Sequence, residues 1–150
     1  MFTQGEVYCL AVSSLNEIPW DVLRAHARNA TTKSYAPYSH VTVGAAGYTS
    51  DGRIVEGSNV ENASYGLTLC AECSLVSDLT RQGGGHLVAV AIVAGDGQPI
   101  APCGRCRQLL FEHGGGEMLV DAGDDAPAHR LRELLPGAFG PNDLGARSNQ

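Results

Sequence analysis

Two short cysteine motifs hold the side chains best suited to chemistry. The first is Cys70-Ala71-Glu72-Cys73 and the second is Pro102-Cys103-Gly104-Arg105-Cys106. Cysteine thiolates paired at this spacing are ligands for Zn²⁺. If Cys70, Cys103 and Cys106 bind and Glu72 does not, the ion keeps one open corner. Water in that corner, beside a carboxylate, is a hydrolytic nucleophile at neutral pH. Glu72 stands two residues past Cys70, within reach of that corner. There it can take a proton from water and return it to a substrate, which is general acid–base catalysis by one group.

The same four cysteines also match a four-thiolate structural zinc. Two features favour the open site. Each motif leads straight into an amphipathic helix, whose N-terminal positive charge offsets the thiolates and lowers their pKa. A chain of 150 residues also has enough core to fold without a metal staple.

The elements that must position these residues read as follows. A helix is expected over 19–34, with Asn16 as cap, Pro19 in the first turn and Trp20, Leu23, Ala27 and Ala30 at helical spacing. Strands over 41–48 and 54–59 flank the turn residues Ser50-Asp51-Gly52. Residues 61–68 form a polar loop. A second helix starts at Cys70 and stops before Gly83-Gly84-Gly85. The run HLVAVAIV over 86–93 fits a strand buried on both faces. A third helix covers 104–113, a short strand 118–120, a loop 121–127 and a helical turn 131–135, stopped by Pro136. This alternation implies an α/β fold: a three-layer α/β/α sandwich on a mixed sheet of about five strands. The first hairpin is antiparallel, and later strands joined through helices run parallel. Residues 1–15 read as an extension, 146–150 as a tail, and 1–150 as one domain.

Net charge is −6, so no basic stripe is available for nucleic acid or an anionic membrane surface. No apolar run approaches the ~20 residues of a membrane span, and no signal peptide is visible. These readings suit a cytoplasmic protein. Five cysteines, four of them in the motifs, favour metal over disulfides there. Cys9, outside both motifs, reads as a small apolar residue or free thiol.

Beyond the metal motifs, the chain resembles the cytidine deaminase family, specifically its small homotetrameric class. Cys-x-Glu with Pro-Cys-x-x-Cys is the zinc signature of nucleobase deaminases generally. Four further segments carry the likeness: Ser34-Tyr35-Ala36-Pro37-Tyr38-Ser39 followed by Val43-Gly44-Ala45-Ala46; Asn59-Val60-Glu61-Asn62-Ala63-Ser64-Tyr65; Cys106-Arg107-Gln108; and Glu133-Leu134-Leu135-Pro136 with Phe139-Gly140-Pro141, Asp143 and Leu144. The resemblance implies a pyrimidine nucleoside substrate, cytidine or 2′-deoxycytidine, deaminated for pyrimidine salvage with one zinc per subunit. It implies Cys70, Cys103 and Cys106 as ligands and Glu72 as proton shuttle. Asn59 and Glu61 would bind the ribose 3′-hydroxyl. Ala71 N–H and Ala101 C=O would grip the pyrimidine edge. Ala63, Tyr65 and Phe139 would reach a neighbouring subunit's site in a homotetramer. Taken alone, Asn59 is a turn former at a strand end and Glu61 a solvated loop charge.

Two positions depart from the family pattern. Val41 stands where an aromatic is common beside the base. Cys73 stands where an arginine commonly meets the zinc thiolates, and Arg105 is the replacement cation this sequence offers. Two other functions fit parts of the pattern: deamination of another aminopyrimidine such as a blasticidin-type nucleoside, and a non-catalytic module held by a four-cysteine zinc.

Overall fold

A computed structural model describes residues 18–145; the 1–15 extension, Asn16, Cys9 and the 146–150 tail lie outside the described residues. Helix α1 (Trp20–Thr31) buries Leu23, Ala27 and Ala30 as one stripe. It ends three residues before the expected limit. The Thr31 and Thr32 hydroxyls donate to the Arg28 and Asn29 carbonyls at 2.8 and 2.7 Å, satisfying acceptors that another turn would have used.

Strands β1 (Val43–Thr49) and β2 (Ile54–Ser58) form the antiparallel hairpin. Its turn uses Gly52 at φ 84°, a left-handed conformation that favours glycine. β1 begins two residues later than the apolar pattern suggests. The Asn59 side chain takes the Val43 N–H at 2.8 Å and donates to the Val41 carbonyl at 2.9 Å. Those backbone groups are thereby lost to a ladder.

A 3₁₀ turn (Tyr65–Leu67) lies in the expected loop. Then follow α2 (Ala71–Arg81), β3 (Leu87–Ala94), α3 (Gly104–Gly114), β4 (Leu119–Val120), β5 (His129–Arg130), α4 (Leu131–Leu134) and α5 (Pro141–Gly145). The five-stranded sheet runs β2-β1-β3-β4-β5. β3 pairs parallel with β4, as a strand–helix–strand connection requires, and antiparallel with β1. β2 and β3, joined through α2, share a direction but lie apart, with β1 between them. The sheet is mixed, as expected, and β3 is buried along its middle.

Side chains alternate across the sheet into two cores. Ala46, Ala89, Ala91 and Val93 face α1. Ala45, Val55, Val90 and Ile92 face the layer of α2 and α3, packing with Leu75, Leu79 and Leu110. The three-layer architecture thus follows from strand parity. Two glycines set the spacing. A Cβ on Gly44 would lie 2.0 Å from the Ala27 carbonyl, and one on Gly57 would lie 2.1 Å from the Ala71 carbonyl. Gly57 therefore lets the start of α2 settle directly on the sheet, which fixes the height of the first cysteine motif. No helix among the described residues is long and apolar enough to cross a membrane.

Candidate metal centre and active site

Cys70 and Cys103 are the N-cap residues of α2 and α3, both in extended backbone conformation. Cys106 lies on the first turn of α3 and is fully buried. Two helix N-termini therefore converge where their free N–H groups and partial positive charge favour thiolate. The three Sγ atoms lie within 4.8 Å of one another, and those of Cys70 and Cys103 are 3.8 Å apart. A tetrahedral ion with Zn–S bonds of about 2.3 Å needs sulfurs about 3.8 Å apart, so the trio fits zinc. Burial pushes the Cys70 and Cys106 thiols up. Burial also opposes ionisation of Cys103, but hydrogen bonds from the Cys106 backbone and the neighbouring thiols outweigh it and lower its pKa. Sulfurs crowded this way ionise together only beside a cation, which is the donor chemistry of a thiolate metal site.

Cys73 is not in the trio. Its sulfur instead accepts a hydrogen bond from Arg105 Nη2 at 3.2 Å. Among the described residues it is the three sulfurs of Cys70, Cys103 and Cys106 that group closely enough to share one ion, with Cys73 outside that group.

Glu72 is 3% exposed on the first turn of α2, in contact with the Cys106 thiol. Burial raises its carboxyl pKa, with the α2 backbone and Cys106 acting the other way. Ala71, whose N–H is one of the unpaired donors at the α2 start, is fully buried. Ala101 is exposed, between Ile100, bonded to the Ile92 carbonyl at 3.0 Å, and the buried Pro102.

The segment after β2 is drawn to the metal motif by a bridge between Val60 and Leu69, with both N–H···O distances 2.9 Å. It carries Asn59 and Glu61. Asn59 is 9% exposed and holds the 41–43 backbone as described. Glu61 Oε2 accepts the Tyr38 and Ser39 N–H groups at 2.9 and 3.3 Å, and Oε1 accepts the Ser39 hydroxyl. These bonds, the Ser39 hydroxyl foremost, hold its carboxyl below the usual range. Ala63 is exposed, and Tyr65 and Phe139 are 75% and 51% exposed.

Two residues escaped the sequence reading. Ser39 was visible only as the last residue of the Ser34-Tyr35-Ala36-Pro37-Tyr38-Ser39 segment, with no role of its own. Arg107 donates from Nε to the Pro102 carbonyl and from Nη1 to the Leu134 carbonyl, both at 2.9 Å, bracing the second cysteine motif against α4. Its spacing from Cys103, one helical turn, was the available signal.

Geometry of this kind defines an α/β protein with a three-thiol cluster able to hold a metal ion beside a buried carboxyl. Residues 21–121 match the family model for the cytidine and deoxycytidylate deaminase zinc-binding region. A cytidine deaminase from Mycobacterium tuberculosis is 53% identical over 128 residues, covering 85% of this chain and 95% of the relative. One from Halalkalibacterium halodurans is 40% identical, covering 82% and 96%. A crystal structure of a single-residue variant of the M. tuberculosis enzyme superimposes with a TM-score of 0.82 at 52% identity, covering 85% of this chain and 100% of that one. The chain belongs to the zinc-dependent cytidine and deoxycytidylate deaminase family.

Proposed function

We propose that this chain hydrolyses cytidine and 2′-deoxycytidine to uridine and 2′-deoxyuridine with release of ammonia, in pyrimidine salvage. The observation that carries the reading is the buried Glu72 carboxylate against a three-sulfur cluster that leaves Cys73 out. Cys70, Cys103 and Cys106 would hold zinc; when bound it supplies a Lewis acid that makes water acidic near neutral pH. Glu72 accepts a proton from the attacking water as oxygen adds to C4 and delivers it to ring N3. It then takes the second proton from the new C4 hydroxyl and passes it to the amine as the C4–N bond breaks and the C4 carbonyl forms, so one carboxyl serves in both directions. Its buried, raised-pKa setting suits a group that must hold a proton part of the time.

The Ala71 N–H and Ala101 C=O orient the pyrimidine edge. Asn59 and Glu61 bind the sugar, and the Glu61 carboxylate repels phosphorylated sugars, favouring nucleosides over nucleotides. Ala63, Tyr65 and Phe139, exposed in one chain, would complete a neighbouring subunit's site in a cytoplasmic homotetramer.

The test compares the wild type with Glu72→Gln for zinc content and for the ultraviolet absorbance change of cytidine. Zinc is expected in both. Turnover is expected to fall about 10²- to 10⁴-fold in the variant. Equal turnover, or none in the zinc-loaded wild type, would overturn the reading.

A further inference from the structure

The sugar side of the site holds a hydroxyl that the mechanism above leaves unused. Ser39 Oγ accepts the Val41 N–H at 3.0 Å and gives its own proton to Glu61 Oε1. The orientation of that hydroxyl is thereby fixed from both ends. Glu61 Oε2 takes the consecutive Tyr38 and Ser39 N–H groups. The turn that aims them includes His40 at φ 60°, the one non-glycine residue with positive φ among the described residues. Successive N–H groups beside a left-handed residue make a concave anion cradle. Here the chain's own carboxylate fills it.

A carboxylate offers about four lone-pair positions. Two on Oε2 and one on Oε1 are taken, which leaves one on Oε1, the oxygen that Ser39 holds. The neighbouring Asn59 amide spends one lone pair and one N–H on the Val43 and Val41 backbone and keeps one of each for the sugar. The loop itself is tied independently: Tyr35 N–H donates to the Asn59 carbonyl at 3.0 Å and Glu61 N–H to the Tyr35 carbonyl at 2.8 Å. Removing the Ser39 hydroxyl therefore releases Glu61 Oε1 alone: Oε2 keeps its two backbone N–H donors and the loop keeps its own bonds.

We propose that Ser39 is the positioning residue of the sugar subsite: it fixes Glu61 Oε1 so that one lone pair of that carboxylate is left for a sugar hydroxyl. The proposal rests on the reading of Glu61 as a sugar ligand. It makes recognition depend on a donor on the sugar.

The test measures kcat and KM for cytidine, and inhibition by uridine and by 3′-deoxyuridine, in the wild type, Ser39→Ala, Ser39→Thr, Ser39→Cys and Glu61→Ala. Loss of one hydrogen bond predicts a roughly two- to tenfold rise in KM and in the uridine inhibition constant for Ser39→Ala, with kcat nearly unchanged. The 3′-deoxyuridine constant should not move. Ser39→Thr should restore wild-type values, and Ser39→Cys, a weaker donor of similar size, should fall between; this series carries the test if the alanine variant does not fold. Equal weakening of both inhibitors would mean a general loop defect and would overturn the proposal. So would an unchanged KM in Ser39→Ala while Glu61→Ala raises it. An unchanged KM in Glu61→Ala would instead overturn the sugar-ligand reading beneath it.

Discussion

Arg105 Nη2 lies 3.2 Å from Cys73 Sγ, a contact that ties the first turn of α2 to the first turn of α3. The guanidinium is also within electrostatic range of Cys70 and Cys106. Three thiolates on one divalent ion leave an excess negative charge, and an adjacent fixed cation offsets it. Arg105→Ala should therefore release zinc roughly tenfold faster, the low end of what outer-shell partners contribute. Cys73→Ser should keep its zinc, because that sulfur lies outside the three-sulfur cluster. Release into a chromogenic chelator measures both. An unchanged rate in Arg105→Ala would remove this role from the guanidinium.

Gly57 predicts a different failure. Alanine there would set a Cβ 2.1 Å from the Ala71 carbonyl and 2.3 Å from the Leu75 nitrogen, so α2 must lift from the sheet. Overpacking against backbone costs about 3 kcal/mol, or roughly 6–12 °C in midpoint for a chain of this size. Gly44→Ala pushes α1 in the same way on the other face. Both variants should melt earlier, but only Gly57→Ala should also loosen zinc, since it moves Cys70. Thermal melts combined with zinc release rates separate the two; equal zinc retention would show that the height of α2 does not set the site.

A cysteine cluster able to hold a metal was legible because chemistry constrains both residue type and spacing. Two Cys-x-x-Cys pairs and a glutamate can be recognised in one dimension. Spacing alone left open which sulfurs group together, because that depends on how α2 and α3 meet; the family resemblance pointed to Cys70, Cys103 and Cys106, the trio that the fold brings together. The β1–β2 hairpin and β3 were legible from turn residues and an apolar run. Helix α5 was not, since its five residues are too few to show a period. The left-handed His40 leaves no compositional mark. Asn59 could be singled out, but not the fact that its amide also stops β1. Arg24 and Asp121 stand 97 residues apart and look like ordinary surface charges until the fold buries them together.

That pair supplies a prediction about stability. Arg24, on α1, donates from Nε and Nη2 to the two carboxylate oxygens of Asp121 at 2.8 Å each, in a bidentate pair at the end of β4. Arg24 is 9% exposed and Asp121 is 6% exposed. Removing one partner leaves a buried charge without its counterpart, which costs about 3–5 kcal/mol. Arg24→Ala should lower the urea midpoint accordingly, whereas the double change Arg24→Met with Asp121→Leu should recover much of the loss. The pair belongs to the α1 face of the sheet, away from the sulfurs, so zinc content of the folded fraction should be unchanged. A loss below 1 kcal/mol in Arg24→Ala would mean that the pair is solvated like a surface one.

Removing zinc should separate function from folding. The two cores are built from side chains on the strands and on α1, α2 and α3, and neither depends on the ligand sulfurs to close. In small metal-dependent domains the binding energy is the folding energy, and a chelator unfolds them. Here the chelated chain should keep its far-ultraviolet helical signal and a cooperative melt, with a lower midpoint because bound metal stabilises only the folded state. Deaminase turnover should vanish and return on adding Zn²⁺. The crowded thiols would then be protonated, as burial of Cys70 and Cys106 favours. Collapse of the helical signal on chelation would reverse this assignment and make the ion a structural requirement of the sandwich, with catalysis secondary to it.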